Sequence, residues 1–177
     1  AVDPQTRFLH LIPLPWSGSV GDARVQELAR QSLASPEPVM QLIGASWLTA
    51  GSDRNKAIQL LEKLAKDVDP RISGLAAAQL WRTQTATADE TKIVKWEQRI
   101  LQMPESLRAG PYNVLATTQA RLKQNQKSAI NFMRVPILYP QQDALCAASL
   151  YKCARLLHND GQTSEARTLW NELLSDH

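Results

Sequence analysis

A single small or aliphatic position recurs five times along this chain at nearly constant spacing. These landmark residues lie 34, 36, 36 and 37 positions apart: Ala23, Ala57, Ile93, Ala129 and Ala166. Each stands at the start of an amphipathic stretch, and a proline lies 11 or 13 residues beyond each of the first four. A period of this length, with helices and a proline break in each repeat, is typical of solenoids built from paired helices.

The apolar pattern from Gly21 onward predicts helices separated by short turns, with strand content close to nil. Large apolar side chains stand three or four residues after a landmark and again seven after it, as Trp96 and Ile100 follow Ile93. This spacing places them on one helical stripe, which we expect to face the partner helix as core. The predicted helices cover residues 22–34, 37–50, 54–67, 70–83, 88–102, 109–124, 126–138, 142–159 and 163–175.

Residues that start and stop helices recur at the predicted boundaries. Asp53, Asp69 and Asp89 precede or open helical stretches, where a carboxylate can accept from the free N–H groups of the first turn. Gly51 and Gly161 follow helical stretches, as expected of residues that take the left-handed conformation at a helix end. These signals place the turns of the second and the last repeat.

Residues 1–20 differ from the rest of the chain. They carry Pro13 and Pro15 among mixed apolar residues, so we expect an extended segment. We interpret it as a strap packed on the first helices, or alternatively as a linker or docking segment from a preceding domain; its apolar candidates are Phe8, Leu9, Leu11, Ile12 and Trp16. The predicted organisation is this extended segment followed by one helical repeat domain, residues 21–177. The chain lacks an initiator methionine and Ala23 opens a helix without a partner before it, which suggests processing or a larger parent protein.

Composition and charge argue against several classes of function. Hydrophobic residues make up 44% and charged residues 21%, values typical of a globular protein rather than a disordered one. No apolar run approaches the roughly 18 to 20 residues that span a bilayer. The net charge of +3 is spread without a block of like charges, which argues against a nucleic-acid-binding surface. The sequence leaves the cellular compartment undetermined.

Residue types that carry catalysis or bind metals are sparse. Cys146 and Cys153 lie seven apart on one predicted helix, so they cannot bond to each other and are interpreted as packing residues rather than a redox or metal pair. The three histidines are far apart, and no zinc, phosphate-loop, dinucleotide or serine-nucleophile motif occurs. We therefore expect no cofactor, no metal and no enzymatic activity. Base-by-base RNA recognition is disfavoured because equivalent positions differ between repeats.

The last repeat is the most regular, and it resembles the tetratricopeptide repeat (TPR) family. Its matching residues are Leu150, Cys153, Ala154, Leu157, Gly161, Ala166, Trp170 and Leu173. The second repeat matches through Ile43, Gly44, Leu48, Gly51, Ala57, Leu61 and Leu64, followed by Asp69 and Pro70. Segments 70–104 and 109–140 are degenerate, and Pro136 is expected to kink or end its helix. The resemblance covers about 140 of the 177 residues, and HEAT-type or other paired-helix repeats stay possible.

The TPR resemblance implies an all-α fold, a right-handed α–α superhelix of about four helix pairs plus a leading single helix. In this family the first helix of each pair lines a concave groove, so it implies a non-catalytic scaffold or adaptor that binds a protein or peptide. Carried over by position, the groove residues are Tyr151, Arg155 and His158 in the last repeat, then Arg121 with Thr118, and Arg82. Such cations suit an acidic peptide or a C-terminal carboxylate.

A structural spacer or assembly domain of a larger protein is the alternative function. Its contacts would lie at the ends of the array, before Ala23 or on the last helix, which carries Trp170 and could pack on a further repeat or a second copy. The carboxylate clamp of chaperone-binding TPR proteins is not implied, because Tyr151 and Arg155 occupy the last repeat's corresponding places.

Overall fold

The computed structural model describes residues 14–16 and 22–176, and within these ranges the chain is helical and has no strand. The helices described there are α1 (Ala23–Ser32), α2 (Pro38–Trp47), α3 (Arg54–Leu64), α4 (Pro70–Gln84), α5 (Glu90–Gln102), α6 (Ala109–Arg121), α7 (Asn125–Leu138), α8 (Asp143–Asn159) and α9 (Thr163–Asp176). A short 3-10 helix, Glu105–Leu107, lies between α5 and α6. The all-α prediction is confirmed, and each predicted helix end falls within three residues of the observed one. Of the predicted strap residues, all except Trp16 lie outside the described ranges.

Aspartate side chains fix the starts of several helices. The carboxylates of Asp22 and Asp89 each accept a hydrogen bond from the backbone N–H three residues on, at 2.8 and 2.9 Å. Asp53 also precedes a helix, as predicted, but its side chain makes no capping bond. Its carboxylate instead accepts from Nε of Arg30 at 2.9 Å, which ties the start of α3 to α1.

Three turns contain a residue in the left-handed conformation. Gly51 and Gly161 have φ angles of 77° and 82°, as predicted for helix-ending glycines. Lys123 has a φ of 61° and occupies the same place after α6 that Gly161 occupies after α8. In both turns the following N–H donates to the carbonyl five residues back, at 2.9 Å. The α6–α7 turn therefore carries backbone strain that the α8–α9 turn avoids.

The chain divides into two compact units at Thr83–Gln84. In the first unit the helices approach closely at small residues: a Cβ added to Gly44 of α2 would lie 2.6 Å from the carbonyl oxygen of Ala29 in α1. The main core of this unit contains Ala29, Leu42, Ala45, Leu48, Ala57, Leu61, Leu64, Ile72 and Ala76. Leu14 packs on a smaller cluster beside it, made of Leu28, Met40 and Ile43. The described part of the N-terminal segment thus contacts the first helices.

In the second unit each helix packs on its neighbours in the chain, and α6 also packs on α8. Ala116 of α6, Phe132 of α7 and Cys153 of α8 form a buried cluster where these three helices meet. Ala116 and Cys153 each precede a landmark residue by 13 positions, as Gly44 does in the first unit. Small residues therefore recur where paired helices come together.

The landmark residues are interior except for the first. Ala57, Ile93 and Ala166 are buried, and Ala129 is half-buried. Ala23 is exposed, so it differs from the other four landmark residues. Among residues 14–16 and 22–176, no helix precedes α1.

Pro136 does not end its helix, because α7 continues to Leu138. Cys146 and Cys153 are both buried on α8 as free thiols, consistent with packing residues. The Cys146 thiol donates to the carbonyl of Tyr139 at 3.3 Å. Burial raises the pKa of Cys153 to about 11, which keeps this thiol protonated and unreactive at neutral pH.

The matched turns make a stability prediction. We expect Lys123→Gly to raise the free energy of unfolding by about 0.5–1 kcal/mol, since glycine relieves the left-handed strain at some cost in chain entropy. Gly161→Ala in the equivalent turn should lower it by about 1 kcal/mol. Urea denaturation followed by circular dichroism checks both, and a Lys123→Gly protein no more stable than the wild type would contradict the equivalence of the two turns.

Candidate functional site

The first helices of the last two pairs, α6 and α8, flank a cleft of about 380 Å³. The turn after α6 and part of α7 complete its walls. The residues that line this α6–α8 cleft are Thr117, Ala120, Lys123, Asn125, Phe132, Lys152, Arg155, Leu156 and Asn159. Phe132 and Leu156 give it an apolar part, and the remaining side chains make it polar and cationic.

Lys152 is a half-buried cation of this cleft. Its ammonium donates to Oδ1 of Asn113 at 2.8 Å and to the hydroxyl of Thr117 at 3.3 Å. It also lies 5.9 Å from the centre of the Phe132 ring. All of these partners are neutral, and no described carboxylate hydrogen-bonds to it. The positive charge of Lys152 is therefore held inside the protein without a compensating negative charge.

The position of the Lys152 ammonium is set by a buried polar pair. Asn113 is fully buried on α6, and its Nδ2 donates to the hydroxyl of Ser149 on α8 at 2.6 Å. This bond fixes the side-chain amide so that its oxygen faces Lys152. Burial lowers the pKa of Lys152 to about 8 from an ordinary 10.5. The amine is thus charged at neutral pH but is more easily neutralised than a surface lysine.

The three residues predicted for the last repeat lie together on α8, but only one of them lines the cleft. Arg155 lines it, and its guanidinium carbon sits 5.5 Å from the centre of the Tyr151 ring. Tyr151 is exposed on the turn before. The His158 ring packs against Trp170 of α9, with 5.4 Å between ring centres and a 51° tilt. Arg155 is therefore the strongest of these three candidates for contacting a ligand.

The other two predicted cations are used within their own units. Arg121 of α6 donates through Nε to the carbonyl of Thr85 at 2.7 Å and through its second terminal nitrogen to Ala88. Its predicted neighbour Thr118 is buried and donates to a backbone carbonyl of the same helix, at 3.0 Å. Arg121 thus holds the chain before α5 in place, and this structural role requires no binding partner.

Arg82 of α4 is held in a similar way inside the first unit. It donates to the carbonyl of Ser46 at 2.6 Å, to the hydroxyl of Thr49 at 2.7 Å, and to the carbonyl of Pro15. Burial lowers its pKa to about 10, which reflects a guanidinium withdrawn from water. Arg82 is not among the residues that line the α6–α8 cleft, and its donors are used by internal partners.

The charge balance of the cleft determines what it can bind. Lys123, Lys152 and Arg155 line it, and none of its described lining residues is Asp or Glu. A ligand that brought a carboxylate or phosphate would meet these cationic donors and would compensate the charge of the Lys152 ammonium.

Lys152, Lys123 and Asn113 were absent from the sequence-based candidates. Lys152 follows Tyr151 in the sequence, and an isolated helical lysine ordinarily indicates a solvated face. The signal that would have found it is the repeat period: Asn113 and Ser149 are polar and lie 36 residues apart, at equivalent places on neighbouring first helices. Polar residues one repeat apart on such helices should meet, and they create a buried polar pocket for the lysine beside them.

Two absences apply to the described residues. No group of three or more His, Cys, Asp or Glu side chains there is arranged to hold a metal ion. None of the described helices combines the length and the apolar character needed to cross a membrane.

The titration of Lys152 tests this view of the cleft. Because burial lowers the pKa of Lys152 in the folded state, the buried charge reduces the free energy of unfolding by its full amount below about pH 8. This reduction disappears as the pH rises toward 10.5, the ordinary pKa of the unfolded chain. In NMR of lysine-labelled protein, we expect one amine to titrate near pH 8 and to disappear in Lys152→Met. Asn113→Ala should shift that midpoint lower, because it removes the bond that favours the charged form. A midpoint near 10.5 would contradict the buried position.

Comparison of the chain with protein-family models, with curated proteins and with solved structures gives no match. The function proposed for it therefore rests on the residues and geometry of this chain.

Proposed function

We propose that this chain is a non-catalytic interaction module that receives a carboxylate-bearing peptide of a partner protein in the α6–α8 cleft. The observation that carries the proposal is the Lys152 ammonium, half-buried without a carboxylate partner in a cleft that two further cations, Lys123 and Arg155, also line. Within this proposal the helix pairs are TPR-like repeats of a right-handed superhelix, and the cleft is part of the groove lined by their first helices.

The energetics favour an anionic ligand. Burying an ammonium costs free energy unless an anion or several good acceptors compensate it. Lys152 has two neutral acceptors, so part of the cost persists in the free protein. A ligand carboxylate would supply the missing charge, and the amine is already held in place before binding. Both effects make a carboxylate a better ligand than a neutral group of the same size.

The strained turn supports the same function. Lys123 keeps a left-handed conformation at the rim of the cleft, whereas glycine occupies the equivalent position in the next pair. Strain of this kind is commonly found at binding sites, where a side chain serves the ligand at a cost to stability. An interaction between the Lys123 ammonium and a bound anion would explain why a strained lysine occupies this position.

The apolar part of the cleft specifies the ligand further. Phe132 and Leu156 line it beside the cations, and the space of about 380 Å³ suits one residue with its terminal group. The ligand favoured by this combination is the last residue of a peptide: an apolar side chain against Phe132 and Leu156, with its free carboxylate toward Lys152 and Arg155. A side-chain carboxylate within an acidic peptide would use the cations alone.

Peptide selection tests the proposal. Peptides fixed by their N-termini, with four randomised C-terminal residues, are prepared as free acids and as amides. We expect the wild-type chain to bind the selected acids at least about tenfold more tightly than their amides, because the amide lacks the charge. Lys123→Gly should bind them more weakly, although it folds more stably.

Matched variants locate the binding site. Arg155→Gln and Lys152→Met should each weaken binding of the acid peptides by about tenfold or more, since each removes a charge from the cleft. Lys95→Gln removes an exposed cation of α5 that does not line the cleft, and it should bind as the wild type does. Equal binding of acids and amides, or equal binding by Arg155→Gln and the wild type, would refute this function.

A further inference from the structure

Exposed apolar side chains of the second unit concentrate on α5 and α7. Val94 and Leu101 of α5 are 51% and 65% exposed, and Ile130 and Ile137 of α7 are 51% and 67% exposed. Leu101 and Ile130 also line a cavity of about 340 Å³ between the two helices. These residues, with the charged Glu97 and Arg134, form the α5/α7 face. A concentration of exposed apolar groups on adjacent helices is typical of a protein–protein interface.

The two helices present the same pattern with opposite charge. On α5, Val94 and Leu101 lie seven residues apart with Glu97 between them. On α7, Ile130 and Ile137 also lie seven apart, with Arg134 between them. Seven residues are nearly two helical turns, so each set forms one short stripe: apolar, charged, apolar. Glu97 and Arg134 both line the cavity between the helices.

We propose that the α5/α7 face binds a second copy of this chain about a two-fold axis. A two-fold interface uses the same patch on both copies, so the patch must be complementary to itself. When α5 of one copy lies along α7 of the other in the same direction, Val94 meets Ile130 and Leu101 meets Ile137. Glu97 then meets Arg134 at the centre. The symmetry makes the same set of contacts a second time between the remaining α7 and α5.

Both central charges are held in position before association. Glu97 accepts from Nε2 of Gln119 at 2.8 Å, and Oε1 of Gln119 accepts from Nδ2 of Asn131 at 2.8 Å. Asn131 in turn accepts from Arg134 at 2.8 Å, and the Arg134 guanidinium lies 5.0 Å from the centre of the Tyr112 ring. This chain of contacts uses one carboxylate oxygen and one guanidinium nitrogen, which leaves others to pair across the interface. Side chains ordered in advance lose less entropy when two copies associate.

The second-copy interface is independent of the proposed peptide site. None of the residues of the α5/α7 face lines the α6–α8 cleft. Each copy of the dimer therefore keeps its own cleft, and failure of either proposal leaves the other intact.

Sedimentation velocity over about 1 to about 200 µM of the whole chain tests the interface. We expect a concentration-dependent dimer, and Leu101→Asp or Ile137→Asp should raise its dissociation constant at least about tenfold. Both side chains are more than 60% exposed, so their replacement should leave the fold unchanged, as circular dichroism would verify. Val68→Asp is the matched control: Val68 is 99% exposed and lies outside the face, so this variant should dimerise as the wild type does.

Charge reversal tests the pairing directly. Glu97→Arg and Arg134→Glu should each be monomeric alone, because each places like charges opposite one another twice. Mixed together they should form a heterodimer, since Arg at 97 in one copy faces Glu at 134 in the other, and the second contact keeps its native pair. A wild-type chain that stays monomeric throughout, leaving the face to a different partner, would overturn the proposal. So would a dimer that neither the aspartate nor the charge-reversed variants weaken.

Discussion

Hydrogen bonds join residues 36 positions apart within each of the two units. Arg82 reaches Ser46 across 36 residues, Arg121 reaches Thr85 across 36, and Asn113 reaches Ser149 across 36. The Asn113–Ser149 bond is buried and the Arg82–Ser46 bond partly buried, so both satisfy polar groups that would otherwise cost free energy. Small residues such as Gly44, where α2 closely approaches α1, bring consecutive helices together.

The proposed binding cleft is a consequence of one of these contacts. The Asn113–Ser149 bond holds an amide oxygen where the Lys152 ammonium can donate to it, and this neutral partner leaves a positive charge uncompensated at the cleft. Arg121, by contrast, donates to backbone carbonyls of the chain before α5, so its charge does not form an open cationic site. A basic residue of these helices can therefore stabilise the chain through internal hydrogen bonds or be available to a ligand, depending on the acceptors around it.

The helices could be predicted from the sequence because their signals are local. The apolar spacing indicates where the helices lie, and Gly51 and Gly161 mark two of the turns. The recurring landmark residues indicate the spacing of the helices along the chain. The candidate site could be predicted only in part. Arg155, a predicted residue, lines the cleft, whereas Arg82 and Arg121 have internal partners that no local pattern shows. Lys152 was missed because its burial depends on contacts with another helix, 35 and 39 residues away in the chain.

The central claim, that the α6–α8 cleft takes an anionic peptide end through Lys152, can be tested on that one amine. NMR would follow the Lys152 titration while a selected acid peptide is added, with its amide as the control. A bound carboxylate favours the charged amine, so the account predicts that the pKa rises from about 8 toward its ordinary value with the acid and not with the amide. A peptide that binds and leaves this titration unchanged would contradict the account.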